Sequence, residues 1–334
     1  MKHELGIVVI GRNEDTRLTA CLRSLAMADA PIVYVDSGST DGSQAAARAH
    51  GAAVIDLDVK AAPFTAARAR NAGFAHLKRL EPDVKFVQFI DGDCVLDEDW
   101  LAIALQTLEA QADVAAVCGR RREIEPERSI YNALCNVEWN TPVGEALAFG
   151  GDVMIRSEAF IAVRGFNDAL IAGEEPELAL RLREQGWRIL RLDHEMTLHD
   201  IAMTSLSQWW KRSVRAGHAF AEVAWMHRAS THAIWKPEVV RALAWGFALP
   251  LAILALSLVS PYLLALFLIY PLQIARVAMR SRSTGHPWAY ANLMMISKFA
   301  ETAGIIRFAL NRVIGRTARI IEYKGAAQTS EGGR

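Results

Sequence analysis

Between Ala242 and Ala275 the chain runs for 34 residues without a charged side chain, "ALAWGFALPLAILALSLVSPYLLALFLIYPLQIA". No other stretch restricts the possible fold so severely. A soluble core helix does not reach that length. One membrane-crossing helix uses about 20 residues and would leave about 14 strongly apolar ones in water. At about 25 cal/mol per Å² of apolar surface, that exposure is prohibitive. Two shorter helices folded back to back fit the length, and Ser260-Pro261 near the middle supplies the turn. Lys236 and Arg241 precede the run, and Arg276, Arg280 and Arg282 follow it. Positive charge on both flanks places both ends on the cytoplasmic side. The expectation is a transmembrane helical hairpin over 242–278, preceded by an interfacial helical linker over 216–241.

A formal net charge of zero over 334 residues hides the same division. From Val239 onward eleven Lys/Arg face three Asp/Glu, so the first 238 residues are acidic. A soluble acidic body with a basic apolar end argues for membrane lipids as a partner and against nucleic acid. The segment after the hairpin has apolar residues at helical spacing with Arg307, Arg312, Arg316 and Arg319 among them. It reads as amphipathic helices over 279–324 lying on the inner face, where anionic lipid attracts the basic side. Residues 325–334 read as a disordered tail. Cys21, Cys94, Cys118 and Cys135 lie far apart, which argues against disulfides or a zinc site and for a reducing compartment. The opening "MKHELGIVVIGRNE" has an apolar core too short for a signal peptide, so the front of the chain is expected in the cytoplasm.

The first half alternates short apolar runs with longer amphipathic ones. "LGIVVI", "PIVYVD", "AVIDLD", "KFVQFI" and "DVAAVCG" read as strands. "RLTACLRSLAMA", "DGSQAAARAHGA", "FTAARARNAGFAHLKRL" and "EDWLAIALQTLEAQ" read as the helices between them. Such alternation predicts a parallel α/β sheet, whose ligands bind beyond the carboxyl ends of the strands. Asp36 and Asp91 both sit at such ends.

The apolar run Phe86–Ile90 stops at Asp91-Gly92-Asp93. In a continuing strand residues two apart share a face, so both carboxylates could address one cation. The plainer reading is a strand-to-helix turn with Asp97 or Asp99 capping the next helix. Company changes the balance. "VVIGRNE" at 8–14, "VYVDSGSTDGS" at 33–43, "ARARNAG" at 67–73 and "FIDGDCVLDEDW" at 89–100 together resemble a family 2 glycosyltransferase of the membrane-anchored bacterial type. The resemblance covers about residues 4–215. It implies a GT-A fold, a Rossmann-like, mostly parallel α/β sheet, as the catalytic domain over 1–215, followed by the C-terminal transmembrane helical region.

The resemblance also implies roles. Glu14, Asp36, Arg70 and Asn71 would line the donor pocket, Asp91 would face the ribose, and Asp93 would hold Mg²⁺ or Mn²⁺, a hard cation suited to oxygen ligands. "FGGDVMIRSEAFIAVRGFND" (149–168) resembles a loop in which Gly150 and Gly151 admit the sugar and Asp152 touches a hydroxyl. "AGEEPELALRLREQGWRI" (172–189) resembles the segment carrying the catalytic carboxylate. Glu175 aligns with the base, a Glu where the family pattern has Asp, with Glu174 and Glu177 beside it on the acceptor side. Pro176 suits a first helical turn, which puts Glu175 at a helix N-terminus. There the dipole favours the anion unless burial opposes it. His199 occupies the place of a late metal-binding histidine, which Asp200 could orient. "QWWKR" (208–212) departs from the signature of processive synthases, and Trp209 and Trp210 suit a helix at a membrane surface instead.

The resulting expectation is an inverting, metal-dependent glycosyltransferase at the inner membrane. A nucleotide-diphospho-sugar would be its donor, and the acceptor a lipid-linked molecule or saccharide in cell-surface polysaccharide or glycolipid synthesis. Two alternatives are an inactive glycosyltransferase-like scaffold and a sugar nucleotidyltransferase. The latter would need a Gly-rich basic loop where "GRNEDT" has Glu.

Overall fold

The computed structural model describes residues 4–58 and 63–315, which form two compact units. The first comprises the chain up to Glu125 together with Glu138–Ala202. Its strands are β1 (Leu5–Gly11), β2 (Ile32–Asp36), β3 (Ala53–Asp56), β4 (Phe86–Asp91), β5 (Cys94–Leu96), β6 (Val114–Glu123), β7 (Gly144–Glu145), β8 (Val153–Arg156) and β9 (Arg188–His199). They build one mixed sheet in the order β3-β2-β1-β4-β8-β6-β9-β5, with β7 on the side of β9. β1, β2, β3 and β4 run parallel, β8 is antiparallel to β4 and β6, and β6 and β9 are parallel.

The interior of β1, "GIVVI", is buried on both faces, as an uninterrupted apolar strand between two parallel neighbours must be. Helices α1 (Asp15–Ser24), α2 (Ser43–Ala49), α3 (Ala66–Leu80) and α4 (Trp100–Ala110) connect these strands where the sequence places them. The Thr65 hydroxyl starts α3 by accepting from the Arg68 amide at 3.1 Å. Gly73 lets α3 settle onto the sheet, because a Cβ there would collide with Val8. α5 (Ile130–Glu138) belongs almost wholly to the second unit, while α6 (Ser157–Ala162) and α7 (Glu174–Glu184) return to the first. Phe74, Phe89, Phe160 and Phe166 pack edge-on or tilted at 4.6–5.5 Å beneath the sheet's carboxyl ends. The parallel, helix-connected half of the sheet is as the sequence predicts. The antiparallel additions are not visible there.

The second unit comprises Pro126–Val137 and, among the described residues, 203–315. The boundary expected at 215 falls inside α8 (Leu206–Met226), a continuous helix begun by a Ser205/Gln208 capping box. α9 (Lys236–Leu243) passes through a π-helical stretch at Ala244–Ala248 into α10 (Leu249–Ser257). Pro250 explains the irregular ladder, since it has no N–H for the Gly246 carbonyl. After a break at 258–260, a 3₁₀ run over Pro261–Leu268 leads into α11 (Ile269–Arg280). The segments Lys236–Ser257 and Pro261–Arg280 are each long and apolar enough to cross a membrane, with mean hydropathies of 2.0 and 1.7. The turn lies at Ser260-Pro261, where the sequence predicts it.

α12 (Pro287–Ile314) packs on α8, a contact that amphipathic spacing does not predict. Gly217 of α8 and Gly304 of α12 sit so close to Glu301 and Val214 that a Cβ at either would collide with the opposite backbone. Small residues at the crossing turn the pair into a packed core. Trp209 also differs from the surface role expected of it. It is buried, and its indole N–H donates to Ser297 Oγ at 2.9 Å, while Trp210 is partly exposed. Residues 316–324 of the expected helical segment and the tail at 325–334 lie outside the described residues.

Candidate active site

Parallel registry brings the first site residues together. Gly11 lies opposite Asp36, and Ile10 opposite Asp91, so β1, β2 and β4 end on one line. The loop after β1 is held in a left-handed conformation at Asn13 (φ 55°) and Asp15 (φ 44°). The Asn13 side chain accepts from the Thr40 amide at 2.8 Å, Ser39 Oγ from the Asn13 amide at 2.9 Å, and Asp41 from the Asp15 amide at 3.1 Å. These bonds tie the loops after β1 and β2 into one rim. Glu14, within it, pairs with Arg17 at 2.8 Å.

Asp36 is fully buried. Burial pushes its carboxyl up, but bonds from Ser39, Gln44 and Tyr34 outweigh this and hold it below its usual range. Its carboxylate braces the rim by accepting from the Gly38 and Ser39 amides.

Arg70 is the hub. Its guanidinium is buried, contrary to a solvated helix face, and meets Asp91 at 2.8 Å and both Glu174 and Glu175 at 3.1 Å, with the Phe166 ring 5.4 Å from its carbon. Asn71 turns away to the neighbouring loop. It accepts from the Phe166 amide at 2.9 Å and donates to the Phe166 carbonyl at 2.8 Å and to Asp168 at 2.6 Å. It ties α3 to the loop at 166–168.

A second guanidinium, Arg121, was not singled out in the sequence. It holds Asp152 at 2.7 Å and reaches Asp91 at 3.4 Å. Sequence reading ends the strand at Gly119, whereas β6 continues to Glu123. Arg120 pairs with Asp193 and Arg122 with Glu195 on β9, and the alternation sends Arg121 inward. Three consecutive arginines at a strand end were the available signal. Asp152 is completely buried. Burial pushes it up, yet Arg121, the Asp91 amide and the Thr197 hydroxyl hold it below its usual range. Asp152 therefore anchors Arg121 and β4. Gly151 is needed because a Cβ would come within 2.5 Å of Asp91 and 2.6 Å of Arg70, so the space foreseen for sugar there is taken by this pair. Gly150 borders open space, with only Arg121 4.0 Å from such a Cβ.

Glu174 opens α7 and is buried; Glu175 follows with 17% of its side chain exposed. Gly173 enables the entry with a left-handed φ of 81°. Burial first, then the Glu174 charge beside it, push Glu175 up to about 7, against the opposing pull of Arg70. The helix dipole expected to favour the anion is outweighed. Glu177 points elsewhere, forming a two-pronged pair with Arg181 at 2.7 and 2.9 Å, and Arg181 in turn holds the carbonyls of Val163 and Gly165.

Asp91 and Asp93 do not share one task. β4 ends at Asp91 and turns at Gly92, so alternation stops between them. Asp93 Oδ2 lies 3.4 Å from Nε2 of His199, the last residue of β9. Candidate ligand atoms of Asp93, Cys94 and His199 all lie within 4.8 Å of one another, and all three residues are buried. Burial pushes the Cys94 thiol well up, so it stays protonated and is a poor donor to a hard cation. Carboxylate oxygen and imidazole nitrogen suit Mn²⁺ or Mg²⁺, and Asp93 with His199 fit such an ion. Asp200 caps the next turn by accepting from the Ala202 amide at 3.0 Å.

This mixed, mostly parallel α/β sheet has the GT-A fold. Residues 6–160 match the sequence model of glycosyl transferase family 2. Among solved structures, the chain is similar to the mannosyltransferase PcManGT from Pyrobaculum calidifontis, in complex with GDP-Man and Mn²⁺. The TM-score is 0.65 and the identity 18%, over 93% of this chain and 88% of that one. Glucosyl-3-phosphoglycerate synthase from Mycobacterium tuberculosis, with Mg²⁺ and UDP, gives 0.49 and 17% over 66% and 78%. S. aureus TarS 1–349 gives 0.47 and 15% over 92% of each chain. No curated protein matches the sequence.

Proposed function

We propose that this chain transfers a sugar, with inversion, from a nucleotide-diphospho-sugar to an acceptor hydroxyl at the inner membrane face. The acceptor is a lipid-linked molecule or saccharide of cell-surface polysaccharide or glycolipid synthesis. The catalytic unit faces the cytoplasm. One observation carries the reading: Arg70 gathers Asp91, Glu174 and Glu175 at the carboxyl edge of the sheet. The match of residues 6–160 to the family 2 model supports glycosyl transfer, and the Asp93–His199 pair supports a divalent ion.

The Glu175 carboxylate takes the acceptor proton as the hydroxyl oxygen attacks the anomeric carbon and the bond to the diphosphate breaks. A pKa near working pH suits a general base, since the group is both available and basic. Arg70 keeps that carboxylate oriented, and the rim of Glu14 and Asp36 positions the nucleoside. Asp93 and His199 would hold Mn²⁺ or Mg²⁺, which supplies positive charge to the departing diphosphate.

The test is a thermal-shift panel of UDP- and GDP-sugars with and without Mn²⁺, followed by assay of nucleoside diphosphate release. A true donor raises the unfolding temperature by mass action. Binding without release, with acceptor extracts supplied, would favour an inactive scaffold. No shift with any donor would remove the reading.

A further inference from the structure

The apolar hairpin is clamped at its base in a way that limits how far it reaches. Thr302 Oγ1 of α12 donates to the Ala242 carbonyl at 2.8 Å. Gly246 lies so close to the Lys298 carbonyl of α12 that any side chain would collide. On the other arm, Tyr270 stacks on Phe299 of α12 at 6.0 Å, and its hydroxyl donates to the Trp245 carbonyl at 2.6 Å. Both arms are thus gripped at the same helix, at 242–246 on one side and at 270 on the other. That helix carries the Lys298–Glu301 ion pair and exposed Arg307 and Arg312, groups that belong at or near water.

Beyond the clamp only Phe247–Ile269 projects. This stretch carries no charge and ends in a tip where Leu258, Val259 and Tyr262 are 84–89% exposed. The first free arm, through Ser257, is about 17 Å long at 1.5 Å per residue. The second, largely 3₁₀, is about 18 Å at 2 Å per residue. A bilayer's hydrocarbon core is about 30 Å thick, and an apolar helix of about 10–14 residues is too short to span it but suits a segment that is buried in a core or enters and returns. Arg241, Arg276, Arg280, Arg282, Arg307 and Arg312 are exposed around or near the clamped base, with Trp288 exposed on α12. This is the collar of cations and aromatic rings that a negatively charged headgroup layer attracts.

We infer that Phe247–Ile269 is a re-entrant wedge embedded in one leaflet of an anionic bilayer, with α12 at the headgroup level, and that the wedge does not cross to the far side. The inference rests on the membrane location proposed above and replaces a spanning hairpin with a shallower one. Its occupant is lipid acyl chain, because both arms are apolar on all sides.

The test uses the full chain with Val259→Cys, a position at the exposed tip, and Arg282→Cys as a base-side reference, in sealed vesicles of phosphatidylglycerol and phosphatidylethanolamine. The four native cysteines are buried and give low background. The expected result is that the tip resists a membrane-impermeant maleimide from either side. A fluorophore placed there is quenched most by lipids brominated near the bilayer centre, while residue 282 labels from the side of addition. Labelling of the tip from the side opposite residue 282 overturns the wedge and leaves membrane insertion standing. Failure of the protein to float with vesicles, with the tip labelled as readily as residue 282, overturns both.

Discussion

The two units solve burial in opposite ways. In the sheet unit the interior is Ile7, Val8, Val35, Phe89 and their neighbours, and at one edge Arg70 and Arg121 meet Asp91, Asp152, Glu174 and Glu175. In the helical unit the outside is Leu251, Leu254, Leu258, Tyr262, Leu268 and Leu272. Its inside holds Ser213, Ser297, Thr302 and His218. The first pattern is the response of a chain to water, and the second suits a chain surrounded by hydrocarbon, where polar groups must find one another. On the proposed membrane location, what counts as a core depends on the solvent each unit meets. Function divides along the same line: paired charges in one unit, close backbone contact in the other.

Substitutions sharpen this division when they damage one unit's device and spare the other's. The largest effect belongs to Asp93→Ala. We expect transfer to fall by more than about 10³-fold, the scale of several kcal/mol of charge stabilisation, with Mn²⁺-dependent donor binding lost and the unfolding temperature without ligand little changed. Turnover assays and donor titrations with and without Mn²⁺ check this; unchanged turnover removes the metal assignment.

Glu175→Gln comes next. Turnover should drop by at least about 10²-fold while donor affinity holds. With the wild-type side chain, rate should rise with pH through about 7 as the carboxyl loses its proton, and the Gln variant should lack that limb. The sign for stability is the reverse. The folded chain holds the Glu175 proton up to about 7 and the unfolded chain only to its ordinary 4.5, so raising pH between those values costs stability. In Glu175→Gln that slope should flatten in chemical denaturation. A parallel loss of donor affinity would make Glu175 a donor-site residue.

Gly217→Ala should act on the helical unit alone. The new methyl forces α8 away from α12, at about 1–3 kcal/mol of overpacking, seen as a lower unfolding temperature in detergent. Turnover per folded molecule should be unaffected; a selective loss of turnover would erase the division of labour. The smallest effect is Ser297→Ala. It leaves the Trp209 indole N–H without its acceptor and should cost about 1 kcal/mol in the same assay.

Much of the sheet unit was legible because its signals are local. Apolar runs of the right length, Asp41 accepting from the Ser43 amide ahead of α2, and Gly51 at a φ of 80° behind it all act within a few residues. Asp93 and His199 were legible as site candidates through resemblance, and the structure brings them together. Arg121 was not, because its meaning depends on β9 arriving beside β6 to claim Arg120 and Arg122. The raised pKa of Glu175 was also hidden, since it is set by enclosure and by Glu174. The burial of Trp209 and α12 escaped for a similar reason. Amphipathic spacing says which face is apolar and nothing about whether another helix or a lipid covers it.

The position of β9 has a consequence for the order of events during synthesis. It lies between β6 and β5, yet it is made about 70 residues after β6. At 5–20 residues per second, the ribosome needs roughly 4–15 s to deliver it. Until then β5 and one side of β6 present unpaired edges, the feature by which nascent sheets join the wrong neighbour. His199 arrives on that same late strand. A chain stalled before residue 199 would have the rim around Glu14 and Asp36 in place and Asp93 without its histidine neighbour, so on the proposed function nucleotide binding would precede ion binding.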